Sequence, residues 1–186
     1  MHGKHPAEFY IWLVALPRWF HRFQEPAYKQ KKTSAKICEV LEGFNVPFQA
    51  GVGGTGVVAK VSASQPGPMV AFRADMDALP LEEKNDVPYK SQHKGFMHAC
   101  GHDGHTAIGL TVAKMLHDRR DDFRGTVKLV FQPAEEGLGG AKRMVEEGVL
   151  KNPIPDFSLA LHLWNEKPVG WIGVTSGPAM AASETF

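Results

Sequence analysis

The chain has 186 residues, with 21 lysines and arginines against 20 aspartates and glutamates. This length suits one domain, and an apolar content of 43% is sufficient for a hydrophobic core. A near-neutral charge balance gives no field that would attract nucleic acid, so we expect no nucleic-acid partner. No stretch approaches the ~20 apolar residues of a membrane-spanning helix, so we expect no membrane partner either.

Two cysteines, Cys38 and Cys100, are too few for a disulfide framework, which indicates a reducing compartment. Residues 9–16 are the one candidate signal sequence, but a preceding cationic run and a following cleavage site are both missing. We therefore predict a cytoplasmic protein. Nine histidines are the compositional oddity, because four of them fall within residues 93–105.

Hydrophobic periodicity predicts a helix over residues 8–22 and a second helix from Thr33 to Gly43. Three short β-type runs separated by Gly, Ser and Pro follow, at residues 46–50, 56–61 and 68–73. A long polar stretch from 74 to 104 has almost no regular pattern. Loops of that length in a compact domain are usually functional or disordered.

After this stretch we predict a helix beginning near His105. The elements expected after it are a strand at 126–131, a short helix at 139–147, a buried apolar strand at 157–163 and a last apolar run at 169–174. Strands interleaved with helices predict an α/β fold with three layers, in which helices flank a mixed, largely parallel sheet. Ligands in such sheets gather at the carboxyl ends of the strands.

The glycines Gly51, Gly53 and Gly56 spell G-x-G-x-x-G, and Asp75 lies near the distance expected for a ribose-binding acid. That fingerprint requires a helix after its glycines, so that a pyrophosphate meets the helix N-terminus. A β-branched run follows instead, so we predict a glycine-rich turn between strands.

A denser group of chemically capable residues begins at the end of the third β-type run. Asp75 and Asp77 lie two residues apart and point the same way if the strand continues. Taken alone, this pair is better explained as solvated loop acids. Cys100 and His102 can converge on one metal ion, and Gly101 between them permits a tight turn. The alternative is an exposed histidine-rich loop with a free cysteine.

Asp103 and His105 are then available to hydrogen bond to the ligands and fix their orientation. Glu135 and Glu136 directly follow a strand, and adjacent glutamates can face one point only from a turn. In isolation they are more often a solvated pair. His162 lies in an apolar run, where a histidine is usually a hydrogen-bonded core residue. Together these segments supply a metal-ligand set and a spare glutamate as a base.

Four motifs occur in order between residues 71 and 164: R-A-D-M-D-A-L-P, H-A-C-G-H-D-G-H, F-Q-P-A-E-E-G and L-H-L-W. They resemble those of the M20 metallopeptidases, in the branch of N-acyl-amino-acid amidohydrolases that includes hippurate hydrolases and auxin-conjugate hydrolases. The resemblance implies a zinc-exopeptidase-like catalytic domain that binds two divalent metal ions. Zn or Mn is expected, and Ni or Co is also compatible with the ligands.

The resemblance also implies a role for each residue. Cys100 resembles the bridging ligand, His102 and His162 resemble terminal ligands, and Glu136 resembles a further ligand. Glu135 resembles the general base, and Asp77 the acid that orients the site. Asp75 takes the place of a ligand histidine in other M20 branches, so we expect it to support the ligands, with Asp103 and His105.

The implied reaction is hydrolysis of the amide bond of a small-molecule N-acyl amino acid by a water that the metal activates and Glu135 deprotonates. Members of the family continue through a lid domain, by which they form homodimers, and carry one more histidine ligand after it. We therefore expect residues 1–186 to be a partial catalytic domain with impaired hydrolysis, and a lid domain to begin near 180–186. The alternative is a non-catalytic metal-binding fragment or a module that depends on a partner chain.

Overall fold

The computed structural model describes residues 6–178, which form four helices and five strands. In chain order these are α1 (Pro6–Arg22), α2 (Lys31–Gly43), β1 (Phe48–Val52), β2 (Gly56–Ser62), β3 (Gln65–Asp75), α3 (His102–Asp118), β4 (Arg124–Gln132), α4 (Gly140–Glu146) and β5 (Phe157–Ala160). The predicted α/β class is confirmed. Within residues 6–178, no helix has the length and apolar character needed to span a membrane. The expected start of a lid domain near 180–186 lies outside the described residues.

The five strands form one sheet in the order β1-β2-β4-β3-β5. β1 pairs antiparallel with β2, and β2 antiparallel with β4. β3 pairs parallel with both β4 and β5. The predicted mixed sheet is confirmed, and parallel pairing accounts for two of its four strand pairs. The parallel part arises because α3 connects β3 to β4 and α4 connects β4 to β5, whereas β1 and β2 form a hairpin.

Helices cover both faces of the sheet, which confirms the three layers. Leu129 and Phe131 of β4 pack in the core formed with α1, α2 and α3. Val130, between them, points to the other face and packs with Met144 of α4 and Val52 of β1. Alternate strand residues therefore serve separate cores, as the pleat of a strand requires.

The glycine-rich segment between β1 and β2 is a turn, as predicted. Gly53 lies against α4, and a Cβ atom there would come within 2.6 Å of the Met144 Cγ atom. The Gly53 N–H group donates a hydrogen bond to the carboxylate of Glu147 at 2.6 Å. The close approach of the turn to α4 explains why glycine is needed.

The predicted buried strand at 157–163 is shorter and more exposed than expected. β5 ends at Ala160, and Phe157 and Leu159 are 65% and 57% exposed. The prediction of burial was wrong because β5 pairs with β3 alone among the described residues and its side chains on both faces stay exposed. The apolar run at 169–174 forms no strand.

The long polar stretch after β3 has no helix or strand, as predicted, but it is well packed. Asp77, Glu83 and His98 are buried within it. A single bridge between Leu79 and Met97 brings its two halves together. The stretch therefore has the character of a functional loop, and it carries part of the candidate site.

Lys128 of β4 holds the segment that leads into β5. Its side chain is 2% exposed, and its Nζ atom donates hydrogen bonds to the carbonyl oxygens of Val149, Lys151 and Pro153 at 2.9, 3.3 and 2.9 Å. Burial lowers the pKa of Lys128, and the charge of neighbouring Lys60 lowers it further. The three carbonyl contacts stabilise the ammonium group in spite of this cost.

Replacing Lys128 with methionine keeps the aliphatic chain and removes the donor of all three hydrogen bonds. We expect Lys128→Met to lower the free energy of unfolding by about 3 kcal/mol, because three hydrogen bonds from a charged group are lost. Urea denaturation measures the change. Lys60→Met, at the paired and exposed position on β2, is the control and should change stability by less than about 0.5 kcal/mol. Equal effects of the two substitutions would contradict this account.

Candidate metal centre

The four motifs meet at one edge of the sheet. Asp75 ends β3, Glu135 and Glu136 lie just beyond the end of β4, and His162 lies two residues beyond the end of β5. His102 begins α3 at the same edge. Because β3, β4 and β5 run parallel, their carboxyl ends lie side by side, which is where α/β sheets bind ligands.

His102 lies at the centre of this group. Its Nδ1 atom is 2.9 Å from the backbone carbonyl oxygen of Asp77, which identifies Nδ1 as the protonated nitrogen. Its Nε2 atom is buried and has no hydrogen-bond partner among the described residues. Buried polar atoms without partners are rare, so this lone pair makes His102 a candidate metal ligand.

Cys100 and His162 face His102 from one side. The Cys100 Sγ atom is 3.4 Å from the His162 Nε2 atom, and ligand atoms of all three residues lie within 4.8 Å of one another. His162 donates its Nδ1 proton to the carbonyl oxygen of Leu163 at 2.7 Å, so its Nε2 atom is the acceptor that faces the Cys100 thiol. The thiol and the two imidazoles can therefore contact a common ion.

Glu135 and Glu136 face His102 from a turn, as the sequence predicted. Their carboxylate oxygens lie 3.9 and 3.8 Å from the His102 Nε2 atom. Asp77 produces this arrangement, because its Oδ1 atom accepts the N–H group of Glu135 at 3.0 Å and its Oδ2 atom accepts that of Glu136 at 3.1 Å. Ala134 takes a left-handed conformation at the start of the turn, with φ of 55°.

Asp75 is buried beside His102 but is bound to other partners. Its Oδ1 atom accepts a hydrogen bond from His105 Nδ1 at 2.6 Å, and its Oδ2 atom forms a salt bridge with Arg73 at 2.8 Å. The distance from Oδ2 to the His102 Nε2 atom is 3.6 Å. Asp75 and His105 therefore lie where the sequence placed them, next to the candidate ligands. Arg73 was not predicted, although it precedes Asp75 by the two-residue spacing of one strand face.

Asp103 points away from the candidate ligands. Its Oδ2 atom is 2.7 Å from the Nδ1 atom of His21 on α1, and the Nε2 atom of His21 is 3.1 Å from the carboxylate of Glu83. We expected Asp103 to hydrogen bond to a ligand, but its carboxylate contacts His21 and not a candidate ligand. Its bond to His21 instead attaches the first turn of α3 to α1. Sequence reasoning missed Glu83, which lies among polar residues of an irregular loop, and its only signal is its place in the acidic pair of P-L-E-E-K.

The electrostatics of the site favour a cation. Although burial alone would raise the pKa of Asp77, its hydrogen bond with His102 and the two backbone N–H groups hold that pKa below its ordinary value. Burial raises the pKa of the Cys100 thiol to about 11, and the charge of Glu136 contributes. Several carboxylates thus surround His102, and a cation would offset their mutual repulsion. A thiolate ligand forms when a bound cation displaces its proton.

Residues 71–179 match the sequence profile of the peptidase family M20/M25/M40. The chain belongs to this family. The resemblance drawn from the four motifs is confirmed, and similar proteins include an N-acyl-L-amino acid amidohydrolase and a dinuclear metal-binding peptidase.

Three relatives show how much of an M20 protein this chain covers. YhaA of Bacillus subtilis is 46% identical over 175 residues, which span 94% of this chain and 44% of YhaA. The N-acyl-L-amino acid amidohydrolase of Geobacillus stearothermophilus is 42% identical, over 94% of this chain and 47% of the relative. The crystal structure of Bacillus subtilis YXEP, described as a dinuclear metal-binding peptidase of the M20 family, superposes with a TM-score of 0.88 at 39% identity, over 92% of this chain and 48% of YXEP. The M20 chain thus spans about half the length of these relatives.

The structure brings most of the predicted site residues of this M20 chain together. Four of them lie around the side chain of the fifth, His102: Cys100, Glu135, Glu136 and His162. Asp77 holds the glutamate turn and His102, and Asp75 lies beside His102. The separate roles of ligand and general base stay predictions. His98, which was not predicted, is buried behind them without a hydrogen-bond partner among the described residues, and burial lowers its pKa to about 4.

The contacts of His21 predict a pH-dependent stability. Its hydrogen bond with Asp103 raises its pKa above the ordinary value of 6.5, burial opposes this, and Glu83 raises it further. A histidine whose pKa is raised by folding contributes its full stabilisation below its ordinary pKa. This contribution is lost as the pH rises through the raised pKa. We therefore expect the parent to lose more stability between about pH 6 and about pH 8.5 than His21→Asn does. Urea denaturation at both values measures it, and parallel losses in the two proteins would refute the contribution of His21.

Proposed function

We propose that this chain carries the metal centre of an N-acyl-amino-acid amidohydrolase that works with two divalent cations. The observation that carries the proposal is the buried, unpartnered Nε2 atom of His102, a residue that three groups of potential ligands share. One group adds Cys100 and His162, a second adds Glu135 and Glu136, and a third adds Asp75 and His105. We propose two ions because the M20 relative YXEP is described as a dinuclear metal-binding peptidase, while the one lone pair of His102 serves a single ion.

The chemistry of the donors fits such cations. Cys100, His102 and His162 would hold one ion, and Glu136 would help to hold the second. Thiolate and imidazole suit Zn, and the carboxylates also suit Mn, while Ni and Co are compatible with the same set. The Nδ1 bonds of His102 and His162 to backbone carbonyls support this role, because metal-binding histidines characteristically donate their other ring proton in this way.

When bound, the cations would acidify a water molecule and polarise the amide carbonyl of the substrate. Glu135 is the residue we assign as general base, because its carboxylate is near His102 and more exposed than that of Glu136. It would accept a proton from water and then return it to the leaving nitrogen, which yields a carboxylic acid and a free amino acid. Asp77 would hold Glu135 in place through the backbone N–H contact.

The substrate class follows from the named relative that hydrolyses N-acyl-L-amino acids. The proposed substrate is therefore a small molecule in which an acyl group is joined by an amide bond to an amino acid. The expectation of impaired hydrolysis by residues 1–186 stays a prediction. Metal binding tests the proposal without depending on turnover.

Two adjacent substitutions separate the base from the ligand. We expect Glu135→Gln to retain bound Zn or Mn, because it removes a proton acceptor, while Glu136→Gln or Cys100→Ala loses metal. Hydrolysis of N-acetyl or N-benzoyl amino acids by the parent should exceed that of Glu135→Gln by about 10²–10⁴-fold. Metal content after dialysis and product release measure the two effects.

Glu146→Gln is the matched control, because Glu146 is an exposed residue of α4 outside the site. It should bind metal as the parent does. If Glu135→Gln also loses its metal, the two glutamates have been assigned the wrong roles. If the parent binds metal tightly and hydrolyses none of these substrates, the chain is a non-catalytic metal-binding module instead.

A further inference from the structure

His105 lies in the first turn of α3 with 1% of its surface exposed, and both its ring nitrogens are occupied. Its Nε2 atom is 2.9 Å from the backbone nitrogen of Leu163. Because an amide N–H can only donate, Nε2 is the acceptor, and the ring proton is on Nδ1, which donates to Asp75 at 2.6 Å. His105 therefore has no lone pair for a metal, although it lies within ligand distance of Asp75 and His102.

The partner of His105 is the residue directly after a candidate ligand. The N–H group of Leu163 binds His105, and its carbonyl oxygen accepts the Nδ1 proton of His162. The position of the Leu163 backbone thus determines which nitrogen of His162 is protonated. With Nδ1 bound to this carbonyl, the Nε2 atom of His162 is left facing the Cys100 sulfur.

Packing of the Leu163 side chain is a second restraint on the same segment. It lies over Gly101 and Gly104, and a Cβ atom on Gly104 would be only 2.5 Å from the Leu163 Cδ1 atom. The strand itself gives no such hold, because β5 ends at Ala160 and its side chains are exposed. Contacts with the start of α3 therefore fix the segment that carries His162.

We propose that His105 is a positioning residue, which aims His162 at the metal centre by accepting the Leu163 N–H group. The inference rests on the proposed function, because it assigns His162 as a ligand. Asp75 holds the His105 ring in the required tautomer and is itself fixed by Arg73. The imidazole of His105 thereby connects Asp75 to Leu163, two residues that are far apart in the sequence.

Two substitutions divide the functions of the two ring nitrogens. In His105→Gln, the side-chain amide reaches the place of Nε2 and can accept the Leu163 N–H. In His105→Asn, the shorter amide reaches only the place of Nδ1, so it keeps the contact with Asp75 and loses Leu163. His117→Asn makes the same change near the other end of α3, away from the site, and is the control.

The first measurement is hydrogen exchange of the Leu163 amide in the metal-free protein. We expect His105→Asn to speed this exchange about five- to tenfold and His105→Gln to restore most of the protection. The second is the affinity for Co²⁺, followed by its absorption spectrum. We expect His105→Asn to weaken it by about 10–100-fold, with a smaller loss in His105→Gln.

Each outcome bears on a distinct claim. An unchanged Leu163 exchange rate in His105→Asn would overturn the hydrogen bond and the inference with it. Faster exchange with Co²⁺ affinity equal to that of His117→Asn would overturn the positioning role while the metal centre stands. If the parent itself binds no Co²⁺, the proposed function falls and the positioning role with it. Faster Leu163 exchange in His105→Asn would in that case still establish the hydrogen bond between His105 and Leu163. If His105→Asn does not fold, an affinity for Co²⁺ of His105→Gln no higher than that of His105→Ala would overturn the proposal.

Discussion

The buried carboxylate of Asp77 connects the parts of the candidate site. Its two oxygens accept the N–H groups of Glu135 and Glu136, and its backbone carbonyl accepts the ring proton of His102. Asp77, a single residue that follows β3, therefore orients both the turn after β4 and the first residue of α3. A carboxylate with backbone N–H partners on both oxygens tolerates burial, whereas a side chain with fewer acceptor oxygens would leave one or both of these N–H groups unpaired.

This constraint leaves the Nε2 atom of His102 free at the point where the other segments meet. Thiol, imidazole and carboxylate atoms lie near it, yet none is within hydrogen-bond distance of it. Such an arrangement is costly in a protein without a ligand, since negative groups and an unpaired nitrogen share a partly buried space. A bound cation would convert these costs into favourable contacts, which is why we favour a metal centre over a purely structural cluster.

Sequence reasoning predicted the parts of this protein that depend on local pattern. The α/β class, the glycine turn at Gly53 and the turn from which Glu135 and Glu136 can face one point followed from periodicity and turn chemistry. The convergence of Cys100, His102 and His162 followed from the known chemistry of their side chains and from the family resemblance. These inferences do not depend on how distant segments of the chain pack against one another.

What the sequence did not predict depends on contacts between distant segments. His21 and Asp103 are 82 residues apart, and no local pattern indicates that Asp103 binds α1 instead of a ligand. An apolar composition suggested a buried β5, but burial requires neighbouring elements to cover the strand, which composition cannot reveal. The contact of His105 with the Leu163 backbone was likewise beyond reach, because a backbone N–H leaves no trace in the sequence.

The central claim is that one cation contacts the side chains of Cys100, His102 and His162. A crystal structure of the protein loaded with Zn, with anomalous diffraction recorded at the Zn edge, tests it most directly. We predict an anomalous peak about 2.3 Å from the Cys100 Sγ atom and about 2.0–2.1 Å from the Nε2 atoms of His102 and His162. A peak bound instead by Asp75 and His105, or no peak near His102, would contradict the account.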